Sequence, residues 1–199
     1  FSMYRVSIGI PAYNEEKNVG LLLNSLLQQK IGEEAMIHEI IVISDGSTDR
    51  TPQIIRDSSI KDSRIKAYHY DVRRGKAAVL NEIFEKATGE ILIHLDADVL
   101  PKDEIVINKL SMPFLTDPTV GLTGGNPMPL PPQTLVERAC DFKYHLIQNI
   151  ITARKGDLNY YAAHGRFLAA SSKFYKSLNI PNVVGTDGYL YLSCLKLGY

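Results

Sequence analysis

The sequence contains no tryptophan and only two cysteines, and it has no excess of charge of either sign. Cys140 and Cys194 fit no metal-binding spacing and provide no disulfide framework, so we expect reduced thiols in a cytosol-facing domain. The 22 basic side chains are balanced by 22 acidic ones. Such a balance lacks the electrostatic footprint of a nucleic-acid-binding protein, and we expect no nucleic-acid partner.

Long hydrophobic runs are missing as well, and no stretch approaches the roughly 18 apolar residues of a transmembrane helix. We expect no secretory signal before Val6. Residues 1–3 are expected to be an expression remnant, and the natural chain is expected to continue beyond Tyr199, where membrane-associating segments could follow. With 199 residues, 45% of them hydrophobic, the chain suits one α/β domain that covers residues 1–199.

The most informative stretch is residues 91–100, ILIHLDADVL, in which a nearly continuous apolar run meets two aspartates. Such a run predicts a strand buried on both faces of a parallel sheet. Ligands of open α/β sheets bind beyond the carboxyl ends of the strands, where Asp96 and Asp98 would stand. Carboxylates there suit a hard cation such as Mg²⁺ that also holds phosphate. The alternative is that both aspartates only form a turn or cap the next helix.

The chain opens with the first half of a βαβ unit. Residues 6–10 predict a short apolar strand that is stopped by Pro11. A polar turn, residues 12–16, follows, and then a helix whose apolar residues recur at helical spacing from Val19. The turn is therefore expected at the same sheet edge as the two aspartates.

A second buried strand is predicted for residues 39–44, because its β-branched run is typical of a strand covered on both faces. It ends at Asp45, which therefore points into the same crevice as Asp96. The turn after it has a purely structural interpretation as well, since Thr48 or Asp49 could cap the next helix.

A basic cluster, residues 73–76, follows a predicted strand with one wet face and opens the next helix. Basic residues at a helix N-terminus oppose the helix dipole, at a cost of a few tenths to about 1 kcal/mol. A bound phosphate would offset this cost, so we predict that the cluster serves phosphate, and we place Asn81 at the same site. A solvated charged turn is the alternative.

The second half of the chain is less specific. Residues 135–151 predict a long helix with a wide apolar stripe, which favours a core-facing helix and leaves an interfacial helix against a bilayer as the alternative. The other predicted features are a strand at 120–124, a proline-rich surface loop at 124–132, two strands at 160–163 and 166–170, and a helix after Asp187.

Together these stretches resemble the inverting family 2 glycosyltransferases, and the resemblance covers nearly the whole chain. It rests on the segments IPAYNEEKNV, ISDGSTDRT, RRGKAAVLNEIFEKATGEILIHLDAD and TDGYLYLSCLKLGY. The resemblance implies a GT-A fold, a single α/β domain built on a mostly parallel sheet. It also implies a nucleotide-diphospho-sugar donor, usually a UDP-sugar, with Mg²⁺ or Mn²⁺ as cofactor. The resemblance further implies a carbohydrate or lipid-linked acceptor. The expected role is cell-surface polysaccharide or glycolipid synthesis at the cytoplasmic face.

The resemblance also assigns roles residue by residue. Ala12, Tyr13 and Glu15 would line the nucleoside pocket, and Asp45 would hydrogen-bond the base. The nucleotide-binding set implied in this way is Pro11, Ala12, Tyr13, Asn14, Glu15, Asp45, Gly75, Lys76, Asp96 and Ala97. Within that set, Lys76 would approach the diphosphate.

The two aspartates of the central strand and a later one carry the implied chemistry. Asp96 would face the ribose and the metal, and Asp98 would bind the metal itself. Asp187 stands where family members have their general base. Thr186 replaces the glutamate that usually precedes this base, and Ser193 replaces a usual arginine, so acceptor recognition is expected to differ.

Two other functions fit parts of the same pattern. A phosphatase of the haloacid dehalogenase type would use Asp96 as nucleophile and Asp98 as acid, although its motif normally lies on the first strand. The main support for a sugar-nucleotide-binding module without turnover is Thr186, which replaces the glutamate usual in the family.

Overall fold

A computed structural model describes residues 3–153, 165–182 and 185–199 of the chain. The strands are β1 (Tyr4–Ala12), β2 (Ala35–Asp45), β3 (Ile65–Tyr70), β4 (Ile91–Leu95), β5 (Leu122–Gly124) and β6 (Phe167–Ser171). The helices are α1 (Val19–Leu27), α2 (Thr51–Lys61), α3 (Lys76–Lys86), α4 (Val106–Thr116), α5 (Leu135–Ala153), α6 (Ser172–Tyr175) and α7 (Thr186–Lys196).

The strands form one mostly parallel sheet in the order β3-β2-β1-β4-β6-β5. β1 runs parallel to β2 and β4, and β3 runs parallel to β2, so the carboxyl ends of β1, β2 and β4 meet at one edge. β6 is antiparallel to β4, with Phe167 opposite Leu95. The residues just before β6 therefore reach the same edge as the residues just after β4.

Helices cover both faces of the sheet, as the apolar strands predict. Side chains of α1, α2 and α4 pack on one face, and side chains of α3, α6 and α7 pack on the other. The α/β class expected from the sequence is confirmed. Every residue of β4 is buried, which explains why all its residues except His94 are isoleucine or leucine.

The prediction that Pro11 stops the first strand is wrong, because β1 continues through Pro11 to Ala12. The ladder between β1 and β4 ends at Gly9 and His94, while the ladder with β2 continues past Pro11. With a partner on one side only, a strand tolerates the missing N–H of proline.

The prediction that α5 faces the core is wrong too, because the large apolar side chains of its described part point to solvent. Leu135, Val136 and Phe142 are 83%, 73% and 72% exposed. The helix is tied to the preceding loop by Tyr144, whose hydroxyl donates to the carbonyl of Pro127.

No helix within the described residues is both long and apolar enough to cross a membrane. The strand predicted at 160–163 lies outside the described residues.

A buried carboxylate holds three parts of the fold together. Ser7 Oγ donates to Glu39 Oε1 at 2.7 Å, and the N–H of Thr88 donates to the same oxygen at 2.8 Å. Burial raises the pKa of Glu39, but these hydrogen bonds more than offset burial and hold the pKa below its usual 4.5. A group with a lowered pKa stabilises the fold above its unfolded-state pKa, and this stability is lost as pH falls through the folded-state pKa.

We therefore expect wild-type protein to lose thermal stability more steeply than Glu39→Gln when pH falls from about 5 to about 3. Melting temperatures from circular dichroism measure this difference. Glu33→Gln is the matched control, because Glu33 is exposed, and it should follow the wild-type curve. Parallel curves for wild type and Glu39→Gln would contradict the expectation.

Candidate active site

A cavity of about 290 Å³ lies at the sheet edge where β1, β2 and β4 end. It is lined by the turns that follow those strands and by the start of α3. The lining residues are Pro11, Ala12, Tyr13, Glu15, Asp45, Arg73, Lys76, Val79, Asp96, Ala97 and Asp98. Eight of the ten residues predicted to bind nucleotide, and both predicted metal ligands, therefore share one cavity.

Asp45 fixes the main chain between β3 and α3. The residue is 4% exposed, and its carboxylate accepts hydrogen bonds from the N–H groups of Arg74, at 3.0 Å, and Gly75, at 2.9 Å. Gly75 has φ +93°, a conformation that favours glycine. Because α3 starts directly after this turn, Asp45 sets the position from which Lys76 reaches into the cavity.

Lys76 and His94 converge on one oxygen of Asp96. Lys76 Nζ lies 2.6 Å from Asp96 Oδ1, and His94 Nε2 lies 3.3 Å from it. Burial raises the pKa of Asp96, but the hydrogen bond and charge of His94, together with those of Lys76, lower it to about 2. Asp96 is thus a permanent anion at neutral pH with one oxygen already engaged.

Asp98 is more open than Asp96. Its side chain is 41% exposed, and Arg166 Nη1 lies 3.3 Å from its Oδ2. Across the described parts of the chain, no group of three or more His, Cys, Asp or Glu side chains could hold a metal ion. Asp98 with Asp96 instead fits Mg²⁺ or Mn²⁺ that takes one or two carboxylates and completes its shell with phosphate oxygens and water.

Tyr13 and Arg73 form a flat surface at the cavity rim. The Arg73 guanidinium carbon lies 3.9 Å from the centre of the Tyr13 ring, and the tyrosine is partly exposed. Stacked planar groups of this kind offer a face on which a nucleobase can lie. The sequence predicted both stretches at the site but not the stacking of Arg73 on Tyr13.

Asn14, Gly75 and Asn81 were predicted at the site but do not line the cavity. Asn14, with φ +54°, accepts a hydrogen bond from the Thr48 N–H at 2.8 Å and so ties together the turns after β1 and β2. Gly75 contributes its backbone to Asp45, as described above. Asn81 instead exchanges two hydrogen bonds with the main chain of Ile180.

Asp187 lies in the first turn of α7, where a negative charge suits the helix dipole. It does not line the cavity but packs against Gly165, since a Cβ built on that glycine would lie 2.7 Å from the Asp187 Cβ. The Gly165 carbonyl in turn accepts from Lys76 Nζ at 3.2 Å and lies 3.0 Å from His94 Nε2. Gly165 therefore lies between the side chain of Asp187, the candidate base, and that of Lys76, which lines the cavity.

Sequence reasoning missed His94, Gly165 and Arg166. His94 had a signal, because it is the single polar side chain inside a buried strand. Gly165 and Arg166 had none, because they reach the site only through the antiparallel pairing of β6 with β4.

The chain matches the sequence model described as "Glycosyl transferase family 2" over residues 7–184. An uncharacterized glycosyltransferase from Haemophilus influenzae is 29% identical over 201 residues, which cover 98% of this chain and 73% of that protein.

Two solved structures have a similar fold. A mannosyltransferase from Pyrobaculum calidifontis, in complex with GDP-Man and Mn²⁺, superimposes with a TM-score of 0.74 at 24% identity. Glucosyl-3-phosphoglycerate synthase from Mycobacterium tuberculosis, in complex with UDP, gives a TM-score of 0.69 at 20% identity. The matches cover 100% and 98% of this chain but only 54% and 66% of those chains. The chain therefore spans about half the length of the mannosyltransferase and about two thirds of the length of the synthase.

Proposed function

Since the chain belongs to glycosyl transferase family 2 and shares the GT-A fold of its structural neighbours, we propose that it is a metal-dependent inverting glycosyltransferase. It moves a sugar from a nucleotide-diphospho-sugar, a UDP-sugar, to an acceptor hydroxyl. The observation that carries the proposal is the cavity in which Tyr13, Lys76 and Asp98 come together. The fold similarity extends to a protein with GDP-Man and one with UDP, so both donor types belong in the test.

The cavity supplies distinct groups for the two halves of such a donor. The base and ribose would lie along Tyr13, Glu15 and Asp45, and the diphosphate would lie toward Lys76 and Asp98. A Mg²⁺ or Mn²⁺ ion held by Asp98 and Asp96 would neutralise the charge that grows on the leaving diphosphate. Lys76 adds a fixed positive charge at the same place, and such preorganised charge is usually the largest catalytic contribution.

Asp187 would act as the general base on the acceptor side. It would take the proton of the acceptor hydroxyl while the oxygen forms a bond to the anomeric carbon. The bond from that carbon to the diphosphate breaks on the opposite face, so the configuration inverts. Gly165 would fix the position of Asp187 relative to Lys76. It packs against the Asp187 side chain, and its carbonyl accepts a hydrogen bond from Lys76 Nζ.

The acceptor and cellular site belong to the same proposal. We infer a carbohydrate or lipid-linked acceptor in cell-surface polysaccharide or glycolipid synthesis. Two unpaired cysteines, Cys140 and Cys194, agree with a domain on the cytoplasmic face.

The proposal is tested by measuring nucleotide release from a panel of UDP-sugars and GDP-sugars, with Mn²⁺ and with EDTA. Metal-dependent release of UDP from one sugar nucleotide supports it. Release of phosphate from an aryl phosphate would instead revive the phosphatase alternative, which family membership leaves without support. Metal-dependent UDP binding without turnover on any donor would favour the non-catalytic binding module.

Gly165→Ala tests the link between the base and the cavity. The new Cβ would displace Asp187, and a displacement of about 1 Å near reacting groups can cost about 10²-fold in rate. We therefore expect kcat to fall by about that factor while UDP affinity stays within about twofold. Gly32→Ala is the control, because its Cβ would meet only the Asn108 side chain, at 3.5 Å. A kcat equal to that of wild type would contradict the expectation.

A further inference from the structure

Asp96 and Asp98, the two aspartates that follow β4, each have a cationic partner. The two contacts differ in length and in the exposure of the cation. Lys76 is held at 2.6 Å from Asp96 and also bonds the Gly165 carbonyl. Arg166 lies at a longer 3.3 Å from Asp98, and its side chain is 63% exposed. The Arg166 contact is thus the looser of the two.

The main chain of Arg166 is anchored independently of its side chain. The Asp96 N–H donates to the Arg166 carbonyl at 2.9 Å, and the next residue, Phe167, pairs with Leu95 in the sheet. The fold therefore delivers a guanidinium to the candidate metal ligand. A substitution of the Arg166 side chain should therefore leave the position of its main chain unchanged.

A divalent cation at Asp98 and the Arg166 guanidinium would compete for the same carboxylate. An exposed ion pair contributes little stability, so a cation of higher charge can displace it. The released guanidinium would still lie beside the cavity with its planar array of donors. This array matches the oxygens of a diphosphate better than a lysine does.

We propose that Arg166 exchanges partners during donor binding. It holds Asp98 in the empty site and pairs with the diphosphate of the donor once a divalent ion has taken Asp98. The inference rests on the proposed function, because it requires a nucleoside diphosphate in the cavity. It adds a phosphate-binding residue that the sequence did not indicate.

Arg166→Gln should change two affinities in opposite directions. Mn²⁺ alone, titrated by electron paramagnetic resonance, should bind the variant about twofold to fivefold more tightly than wild type, because the competing cation is gone. UDP in the presence of Mn²⁺ should bind about tenfold or more weakly, because a charged hydrogen-bond donor to phosphate is lost. Arg166→Lys, which keeps the charge but not the planar array, should lie between the two proteins.

Arg56→Gln is the matched control, since Arg56 is an exposed arginine on α2, and it should change neither affinity. Unchanged or weaker Mn²⁺ binding by Arg166→Gln would overturn the competition with Asp98. Tighter Mn²⁺ binding with unchanged UDP affinity would overturn the exchange to the diphosphate. If wild-type protein itself binds no UDP with Mn²⁺, the proposed function fails, and this result is distinct from either failure in the variant.

Discussion

Asp187→Asn is expected to lower kcat for sugar transfer by about 10² to 10⁴, the usual contribution of a general base. Asparagine cannot take the proton of the acceptor hydroxyl. It keeps the oxygen that accepts the Gly188 N–H at 3.0 Å, so the first turn of α7 should remain intact. UDP affinity should not change, because Asp187 lies outside the cavity lining. Steady-state transfer kinetics together with UDP titration separate the two effects.

The control for Asp187→Asn is Asp57→Asn, which removes an exposed carboxylate on α2 and should leave kcat unchanged. A variant at Asp187 that transfers sugar within about threefold of wild type would rule out the base assignment. The replacement of the usual glutamate by Thr186 would then mark a different way of activating the acceptor.

Asp98→Asn is expected to remove the gain in UDP affinity that Mn²⁺ provides. Loss of an outer-shell partner typically costs about 10 to 100-fold in metal affinity, so loss of a direct ligand should cost at least about 100-fold. The amide keeps the size of the side chain and has no net charge to hold a cation. Titration of Mn²⁺ in the presence of UDP measures the effect.

Asp117→Asn serves as the control for Asp98→Asn, because Asp117 is exposed, does not line the cavity and accepts hydrogen bonds from the N–H and the hydroxyl of Thr119. If Asp98→Asn bound Mn²⁺ and UDP as wild type does, Asp98 would not be a metal ligand. Asp96 would then need to act alone, although Lys76 and His94 already engage one of its oxygens.

The parts of the site that follow strand ends could be predicted from the sequence, because they depend on local patterns. A buried apolar strand that stops at a polar residue places that residue at the sheet edge, and parallel neighbours share the edge. Asp45, Asp96 and Asp98 were found in this way and share the cavity.

The parts that depend on distant pairing could not be predicted. Gly165 and Arg166 belong to the site because β6 inserts between β4 and β5 in the opposite direction. Local pattern carries no information on that insertion. The core-facing interpretation of α5 was wrong for a related reason, since helical spacing shows that an apolar face exists but not which way it points.

The diphosphate site is tested most directly by calorimetric titration of UDP into wild-type protein in Mn²⁺ and in EDTA, with UMP and GDP as comparison ligands. We predict that UDP binds in Mn²⁺, that EDTA abolishes this binding, and that UMP, which lacks the second phosphate, binds far more weakly. Equal binding of UDP and UMP, or UDP binding that EDTA leaves unchanged, would contradict a metal-held diphosphate at Asp98 and Lys76.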